Sequence, residues 1–362
     1  MMTGSHFSAS EVHPQAGPGP GRPTPGRSGA AGLLHLHGLG HAHPATVIDN
    51  AFLESLDLGT DDGWIVSRTG IRTRRTVLPL DYLRDTRNRD PRAAAEAALE
   101  DQAALGARAA RMALDRAGIP AREVGLVLAG SSAPDTPSPA MACQVARALD
   151  LEVPAFDLAS ACTSFLAQLH VAAHLLPGAL PRFALLVVPE TITCTVRYDD
   201  RRAAVLWGDG AAAAVVSQQE PGRARVDLTA FGSAPSGADL VRIPRAGHFE
   251  QQGGAVQRFA IRRTLELLEE LVQRGLVRGP TLRFVGHQAN LRMLEAVCRG
   301  AGIPPEQHLC NVAEFGNTGA AGAPAALSAA WEKLAPGDEV ALVAVGAGLS
   351  FGRARLRLGL PG

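Results

Sequence analysis

Three polar residues stand where an apolar, strand-like run gives way to a helix-like pattern. They are Cys162 in FDLASACTSF, His287 in RFVGHQANLRML and Asn317 in EFGNTGAAGAPAAL. A thiol after a strand and at the first turn of a helix meets free backbone N–H groups and the helix dipole, which lower its pKa toward thiolate. A thiolate is a nucleophile for acyl transfer. Each residue also has a structural alternative: a packed core position for the cysteine, and a cap or turn for the histidine and asparagine.

The loops that follow the strands of an α/β sheet meet in one crevice. If the three residues follow three such strands, they form one site with a thiolate nucleophile and two neutral hydrogen-bond donors. These turns hold no Asp or Glu that is an obvious base.

The elements that must position these residues alternate between strands and helices. The strands are short apolar runs, several of them rich in β-branched residues, and the helices are rich in Ala and Leu. The predicted strands are Val124–Leu128, Ala184–Val188, Ala211–Val216, Leu282–Val285 and Val340–Val345. The predicted helices are Ala104–Ala117, Ser164–Leu176, Ile261–Arg274, Leu291–Ala301 and Ala320–Leu334. This alternation predicts an α/β fold.

The chain divides into a tail and two halves. Residues 1–31 are rich in Gly, Pro and Ser and predict a disordered tail. Residues 32–218 are predicted to form an N-terminal half with the nucleophile, and residues 219–362 a C-terminal half with the histidine and asparagine. Residues 79–102 are dense in Arg, Asp and Glu, and predict either a solvated loop before a helix or a lid over a site.

Composition argues against several classes of protein. The 362 residues carry no formal net charge, and Lys333 is the one lysine, so no basic stripe predicts nucleic-acid binding. Five widely spaced cysteines argue against a disulfide framework and favour a reducing compartment. No apolar run approaches the roughly 20 residues that span a bilayer. We expect a soluble cytoplasmic protein without a membrane partner.

A metal site is the alternative raised by HLHGLGHAH, which contains His35, His37, His41 and His43. The stretch has no Cys, Asp or Glu among its histidines and reads as a strand and turn. We expect no metal there.

Five ordered blocks give the chain a specific resemblance: DDGWIVSRTGIRTRR, VPAFDLASACTSF, LWGDGAAAAVV, GHQANLRML and FGNTGAAGAP. The chain from about residue 36 to residue 358 resembles the β-ketoacyl-acyl-carrier-protein synthase III family of the thiolase superfamily. The resemblance implies the thiolase-like five-layered αβαβα fold, built from two related halves, and a homodimer.

The resemblance also implies roles. Cys162 is the nucleophile that accepts an acyl group, His287 and Asn317 hold the thioester carbonyl of the second substrate, and the backbone N–H groups of Cys162 and Ala347 form the oxyanion hole. The implied reaction loads an acyl group from acyl-CoA or acyl carrier protein. A malonyl-type thioester then loses CO₂ and attacks the acyl group in a Claisen condensation, which gives a β-ketoacyl product. Coenzyme A and phosphopantetheine thioesters are substrates, and no cofactor is implied.

Matching positions also imply substrate-binding residues. Trp64 matches the residue that stacks on the adenine of coenzyme A, and Arg68 and Arg201 match residues that contact its phosphates. Arg292 matches a residue that receives coenzyme A or the acidic carrier protein. Ser138 stands where short-chain members place a bulky aromatic that closes the partner subunit's acyl pocket.

Departures from the family pattern favour a specialised member. The small Ser138 predicts a longer or bulkier acyl group, and Arg202 replaces a small residue near the tunnel mouth. The 79–102 segment is about twenty residues longer than its counterpart in the fatty-acid starter enzymes, a length typical of functional loops. We therefore expect a role in polyketide or specialised lipid biosynthesis.

Two alternatives use the same acyl-cysteine. One is an acyltransferase that passes the acyl group to an oxygen, nitrogen or sulfur nucleophile with His287 as general base. The other joins two acyl chains without decarboxylation. Hydroxymethylglutaryl-CoA synthases are disfavoured because they need a glutamate base near LAGSSAPDT, where this chain has Ser131 and Ser132.

Overall fold

The computed structural model describes residues 34–245, 247–276 and 278–359. The predicted tail, residues 1–31, lies outside the described residues. The described strands are β1 Leu34–Ala42, β2 Thr46–Asp49, β3 Thr73–Thr76, β4 Val124–Ala129, β5 Ala155–Asp157, β6 Phe183–Glu190, β7 Gly210–Ser217, β8 Ala224–Ser233, β9 Val241–Arg242, β10 Glu250–Gln251, β11 Leu282–Gly286, β12 Glu339–Gly346 and β13 Ser350–Leu358.

The helices in the same ranges are α1 Asn50–Ser55, α2 Asp62–Thr69, α3 Leu80–Thr86, α4 Pro91–Ala97, α5 Gln102–Ala117, α6 Met141–Ala148, α7 Ser164–His174, α8 Arg201–Ala204, α9 Gly253–Gln273, α10 Leu291–Ala301, α11 Val312–Phe315 and α12 Gly322–Ala330. Short 3₁₀ turns occupy Ala121–Glu123, Ile192–Thr195, Pro235–Leu240, Pro305–Gln307, Gly319–Ala321, Trp331–Lys333 and Ala347–Leu349. Within the described ranges, none of the helices has the length and apolar character that a bilayer crossing requires.

Nine strands join in the order β11-β12-β13-β8-β1-β7-β6-β4-β5. The pairing pattern repeats: β1 to β7 and β7 to β6 are antiparallel and β6 to β4 is parallel. Likewise β8 to β13 and β13 to β12 are antiparallel and β12 to β11 is parallel. This repetition gives two related halves, as the sequence predicted. The boundary predicted after residue 218 stays a prediction and falls in the turn between β7 and β8.

Alternation along the buried strands separates the layers. In β6, Leu186 and Val188 face the cluster that contains α7 and α12, whereas Leu185 and Val187 face the cluster that contains α5 and α6. In β12, Leu342 likewise faces α7 and α12, whereas residues 341 and 343 face the cluster of α9 and α10. The order of layers is therefore helix, sheet, helix, sheet, helix, which confirms the predicted αβαβα fold.

The glycines of HLHGLGHAH have a packing role. A Cβ atom at Gly40 would lie 2.0 Å from the Ala109 carbonyl oxygen, and one at Gly38 would lie 2.1 Å from the Ala113 carbonyl oxygen. Helix α5 therefore rests directly on β1, which a side chain at either glycine would prevent. Three of the histidines of this stretch contact protein groups: His37 Nε2 lies 3.2 Å from the Glu220 carbonyl oxygen, His41 Nδ1 lies 2.9 Å from Ser328 Oγ, and His43 Nδ1 lies 3.1 Å from the Asp209 carbonyl oxygen. Among the described residues, no group of three or more His, Cys, Asp or Glu is arranged to hold a metal ion.

Most element bounds agree with the sequence prediction to within a few residues, and helix α10 agrees at both ends. Helix α9 is the exception, because it begins at Gly253, eight residues before the predicted Ile261. Two consecutive glycines disfavour a helix interior, but here they occupy the first turn. The predicted helix Ala320–Leu334 is α12 with a 3₁₀ turn at each end.

The charged segment 79–102 is neither a solvated loop nor a lid. It forms α3 and α4, whose Leu83 and Ala94 are buried, and none of its residues lines the large cavity described below. Asn88 between them is fully buried, and its Nδ2 donates to the carbonyl oxygens of Thr193, Cys194 and Val196 at 2.9 to 3.2 Å. The segment is thereby fastened to the chain that precedes α8.

We predict that Asn88→Ala lowers the free energy of unfolding by about 2 kcal/mol or more, because buried carbonyl oxygens lose their donor. Chemical denaturation measures this change. The matched control Asp85→Ala removes an exposed side chain from the same segment and should change stability by about 0.5 kcal/mol at most. Equal effects of the two substitutions would contradict the fastening role.

Candidate active site

Cys162 lies in a tight turn between β5 and α7, two residues before the first residue of the helix. Ala161, just before it, has φ of +45°, a left-handed conformation that is costly for a residue with a Cβ atom. Ser164 Oγ accepts from the Ser160 N–H and donates to the Ala161 carbonyl oxygen, at 2.8 and 2.7 Å, which holds the turn. The turn aims the thiol into a cavity of about 920 Å³.

Ala347 reaches the thiol from the end of β12. A Cβ atom at the preceding Gly346 would lie 3.2 Å from both the Cβ and the N atom of Cys162, so the two backbones touch. The backbone N–H groups of Cys162 and Ala347 both hydrogen bond to the sulfur and lower its pKa. Both residues line the cavity.

His287 follows β11 and lines the same cavity. The neighbouring Gln288 is fully buried and fastens the strand end: its Nε2 donates to the Gly286 carbonyl oxygen, and its Oε1 accepts from the Asn311 N–H. Burial lowers the pKa of His287 to about 4, so the imidazole is neutral at pH 7. Its Nδ1 is buried without a protein partner.

Asn317 also lines the cavity, although it does not follow a strand as the sequence prediction required. It follows the short helix α11, and its backbone N–H donates to the Leu206 carbonyl oxygen at 2.8 Å. Its own carbonyl oxygen accepts from the Gly208 N–H at 3.1 Å. These two bonds hold the loop against the chain that enters β7. The structure thus brings Cys162, His287 and Asn317 to one cavity, and their catalytic roles stay predictions.

The expectation of a lowered thiol pKa is wrong. Burial and the charge of Glu190 raise the pKa of Cys162 to about 12, and they outweigh the backbone N–H groups and the Ser132 hydroxyl, which act in the opposite direction. Burial could not be read from the sequence around the cysteine. At pH 7 the site therefore holds a thiol and a neutral imidazole.

The three turns hold no obvious acidic base, as the sequence indicated, but a carboxyl group reaches their neighbours from the end of another strand. Glu190, the last residue of β6, is fully buried, and its Oε1 accepts from Ser132 Oγ at 2.7 Å and from the Ala320 N–H at 3.0 Å. The carboxyl group therefore joins the neighbour of Cys162 to the loop that carries Asn317. The signal in the sequence was a single Glu at the end of the apolar run FALLVVPE.

The predicted coenzyme A residues lie beside the cavity rather than in its lining. The Trp64 ring has the guanidinium carbon of Arg68 at 4.4 Å and that of Arg201 at 4.8 Å from its centroid. The next residue, Arg202, lines the cavity and pairs with Asp200 at 2.8 Å. Helix α8 carries both Arg201, which stacks on Trp64, and Arg202, which lines the cavity, so it connects the Trp64 stack to the cavity mouth.

Two further predicted residues are placed apart from the cavity lining. Arg292 at the start of α10 donates to the Val66 carbonyl oxygen at 3.0 and 3.2 Å and pairs with Glu295 at 3.0 Å, so it connects α10 to the end of α2. Ser138 is exposed and does not line the cavity of its own chain.

Comparisons with known proteins agree with the sequence resemblance. Residues 156–235 match the family described as 3-Oxoacyl-[acyl-carrier-protein (ACP)] synthase III, and residues 272–358 match its C-terminal family. The chain is 35% identical over 344 residues to the beta-ketoacyl-[acyl-carrier-protein] synthase III of Syntrophomonas wolfei, which covers 90% of this chain and 98% of the relative.

Solved structures give the same result. The 3-oxoacyl-(acyl carrier protein) synthase III of Pseudomonas aeruginosa is 33% identical with a TM-score of 0.78, and the match covers 91% of this chain and 99% of that chain. The priming β-ketosynthase from the R1128 polyketide biosynthetic pathway is 27% identical with a TM-score of 0.76, covering 95% and 100%.

Proposed function

The chain belongs to the β-ketoacyl-[acyl-carrier-protein] synthase III family, and on this premise we propose that it is a condensing enzyme that loads an acyl group onto Cys162 and extends it with a malonyl-type thioester. The donor is acyl-CoA or an acyl carrier protein thioester, and the product is a β-ketoacyl thioester. One observation carries this proposal: Cys162, Ala347, His287 and Asn317 all line a single cavity.

In the loading step, the sulfur of Cys162 attacks the thioester carbonyl carbon and coenzyme A leaves as its thiolate. The developing oxyanion needs donors close to the sulfur, and the backbone N–H groups of Cys162 and Ala347 are directed there. One such donor contributes about 10² to 10³ in rate.

In the condensation step, His287 and Asn317 bind the thioester carbonyl of the malonyl substrate. A neutral imidazole and an amide donate hydrogen bonds without adding charge, and the pKa of His287, about 4, supports that role at pH 7. Loss of CO₂ leaves an enolate, whose carbon attacks the acyl-Cys162 carbonyl and releases the thiolate. No resident cofactor takes part in these steps.

The donor side of the site supports coenzyme A as the carrier. Trp64 offers a flat ring for the adenine, Arg68 and Arg201 offer forked donors for phosphate, and Arg202 adds a cation at the cavity mouth. Arg292, which the resemblance assigns to coenzyme A or the carrier protein, connects α10 to α2 through the Val66 carbonyl oxygen and is paired with Glu295. Both guanidinium groups lie over the Trp64 ring, at 4.4 Å for Arg68 and 4.8 Å for Arg201, so stacking of adenine on this ring requires one of them to move.

The acyl group is longer or bulkier than acetyl, and the pathway is a specialised one such as polyketide starter selection. The support is the small, exposed Ser138, at the position where short-chain relatives place an aromatic residue. The R1128 enzyme is named as a priming ketosynthase of a polyketide pathway. Passing the acyl group to an O, N or S nucleophile, or joining two acyl chains without decarboxylation, remains the alternative outcome of the test below.

The enzyme works as a homodimer. Among the described strands, β5 ends the sheet order and pairs with β4 alone, and it carries Phe156, whose exposure is 50%. An open sheet edge with an exposed aromatic side chain is suited to pairing with a second copy of the same strand.

We predict that incubation with acyl-CoAs from acetyl to dodecanoyl adds an acyl mass to the intact protein and that Cys162→Ala abolishes the adduct. His287→Ala and Asn317→Ala should still form the adduct, but should release CO₂ from malonyl-carrier protein about 10² to 10³ times more slowly, because each removes a donor to the enolate. His174→Ala, at an exposed position at the end of α7, is the matched control and should keep full activity.

Three results would contradict the proposal. If no donor labels Cys162, the nucleophile is wrongly assigned. Discharge of the adduct by an alcohol, amine or thiol in place of malonyl-carrier protein would establish an acyltransferase. Discharge by a second acyl thioester without CO₂ release would establish chain joining.

We predict that Trp64→Ala raises the KM for acyl-CoA about tenfold, because stacking on a nucleobase contributes about 1 to 3 kcal/mol. The same acyl group on N-acetylcysteamine lacks the nucleotide, so its KM should not change. An equal rise for both donors would mean that Trp64 acts through the local fold and not through adenine.

We predict that the protein elutes with the light-scattering mass of a dimer and that Phe156→Arg shifts it toward monomer. Leu176→Arg changes a residue that is also exposed, at 77%, but lies beyond the end of α7, and should leave the dimer intact. A monomeric native protein, or equal effects of the two substitutions, would refute the β5 interface.

A further inference from the structure

Glu190 is a buried carboxylic acid that the two steps above leave without a role. It ends β6, an all-buried strand, and none of its surface is exposed. A carboxyl group in such a place is costly unless hydrogen bonds satisfy it. Glu190 lies behind the nucleophile, so the groups that donate hydrogen bonds to its carboxylate indicate what it can do in the reaction.

Both carboxyl oxygens of Glu190 have donors. Oε1 accepts from Ser132 Oγ at 2.7 Å and from the Ala320 N–H at 3.0 Å. Oε2 accepts from Ser131 Oγ at 3.0 Å and from the Ser132 N–H at 3.0 Å. Ser132 also acts on the nucleophile, because its hydroxyl group lowers the pKa of the Cys162 thiol. One hydroxyl group, bonded at 2.7 Å to the carboxyl group, is therefore the group that couples Glu190 to the thiol.

We propose that Ser132 and Glu190 form a proton relay that takes the proton of the Cys162 thiol as the sulfur attacks, and returns it when the product leaves. Ser132 accepts the thiol proton on Oγ while it passes its own hydroxyl proton to Glu190 Oε1. Glu190 acts through Ser132 and does not touch the substrate, so it is a positioning residue. This inference rests on the proposed function for its place in the reaction.

The thiol needs a base. With a pKa of about 12, about one thiol in 10⁵ is ionised at pH 7. Burial raises the pKa of Glu190 to about 7 against four hydrogen bonds that lower it, and a general base is most effective when its pKa is near the working pH. His287, with a pKa of about 4, is the weaker base.

The other ionisable groups near Glu190 are separated from it by side chains. Asp135, whose pKa burial also raises, accepts from Thr191 Oγ1 at 3.3 Å. Asp209, with a pKa raised by burial to about 7, accepts from the Thr193 N–H and hydroxyl. Within the described part of the chain, neither carboxyl group is hydrogen bonded to Ser132. The Cys162 thiol is the titratable group that Glu190 reaches through that hydroxyl.

The relay balances over the proposed cycle. In loading, the S–C bond forms, coenzyme A leaves as thiolate, and the thiol proton resides on Glu190. In condensation, malonyl thioester loses CO₂, its carbon attacks the acyl group, and the Cys162–acyl bond breaks. The released thiolate recovers the proton from Glu190, which restores the carboxylate, while the coenzyme A thiolate takes its proton from water.

Alkylation by iodoacetamide tests the relay without any substrate. The sulfur of Cys162 forms a bond to the reagent's methylene carbon, iodide leaves, and the thiol proton must depart, as in acyl loading. We predict that the rate at Cys162, followed by peptide mass spectrometry from pH 5 to about 10, rises through a step near pH 7 as Glu190 ionises. A second rise follows at higher pH as the thiol itself ionises.

Glu190→Gln should abolish the step near pH 7 and slow alkylation at pH 8 by about 10²-fold. Ser132→Ala should do the same while keeping the carboxyl group in place. Ser131→Ala is the matched control, because it removes one hydrogen bond from the other carboxyl oxygen and leaves the path intact. It should retain the step, moved to higher pH, since loss of a donor to the carboxylate raises its pKa.

Two results would overturn the relay. One is alkylation of Glu190→Gln at least as fast as that of the native protein at pH 8, as expected if the carboxylate charge merely opposes the thiolate. The other is a step near pH 7 that survives in Ser132→Ala. If Glu190→Gln fails to fold, the two serine variants decide the matter alone. Because no acyl donor is used, the relay stands or falls separately from acyl loading and CO₂ release.

Discussion

Two helices, α7 and α12, lie between the two halves of the nine-stranded sheet, and the rest of the molecule depends on their burial. A helix in this middle layer is covered over most of its surface, so its sequence must be mostly small and apolar, as GAPAALSAA in α12 is. Its first N–H groups also have no water to meet and must find acceptors in the protein. The acceptor for Ala320, in the turn that leads into α12, is the carboxyl group of Glu190. The Ala320 N–H needs an acceptor, and the acid that meets this need, Glu190, is separated from Cys162 by a single hydroxyl group, that of Ser132.

The same burial acts on every ionisable group of the site, with opposite signs for acids and bases. It raises the pKa of Cys162 and of Glu190 and lowers that of His287. The neutral forms of the thiol and the imidazole are therefore the resting forms at pH 7. The backbone N–H groups of Cys162 and Ala347 are positioned to donate to the oxyanion, whose negative charge develops only during the reaction. Such a site stabilises a charge that develops during the reaction more than a charge that is present at rest. Preorganised hydrogen-bond donors act on the developing charge.

The parts of the structure that follow from local pattern were predictable. Short apolar runs rich in β-branched residues, such as FALLVVPE and EVALVAVG, are typical of buried strands, and Asn290 and Gly302 mark both ends of α10. The start of α9 was missed because its first turn holds two glycines, which line the cavity and have low helix propensity. Segment 79–102 was misjudged because its many charged side chains are mostly exposed, whereas a few residues between them, Leu83, Asn88 and Ala94, are buried.

The site was predictable as a set of residues and not as an electrostatic environment. Cys162, His287 and Asn317 could be named from their positions in turns, but the depth of burial that sets their pKa values depends on all five layers. Glu190 could not be assigned to the site from the sequence, because a single acidic residue at the end of a strand ordinarily faces water.

The Glu190 carboxyl group has a consequence for the order in which the protein is made. It belongs to the first half of the chain, together with Cys162, and one of its partners, Ala320, belongs to the second half. A ribosome delivers the nucleophile more than a hundred residues before the loop of Asn317. The site is therefore completed by a segment that emerges well after the nucleophile, so a nascent or truncated first half carries the cysteine without His287, Asn317 and Ala347.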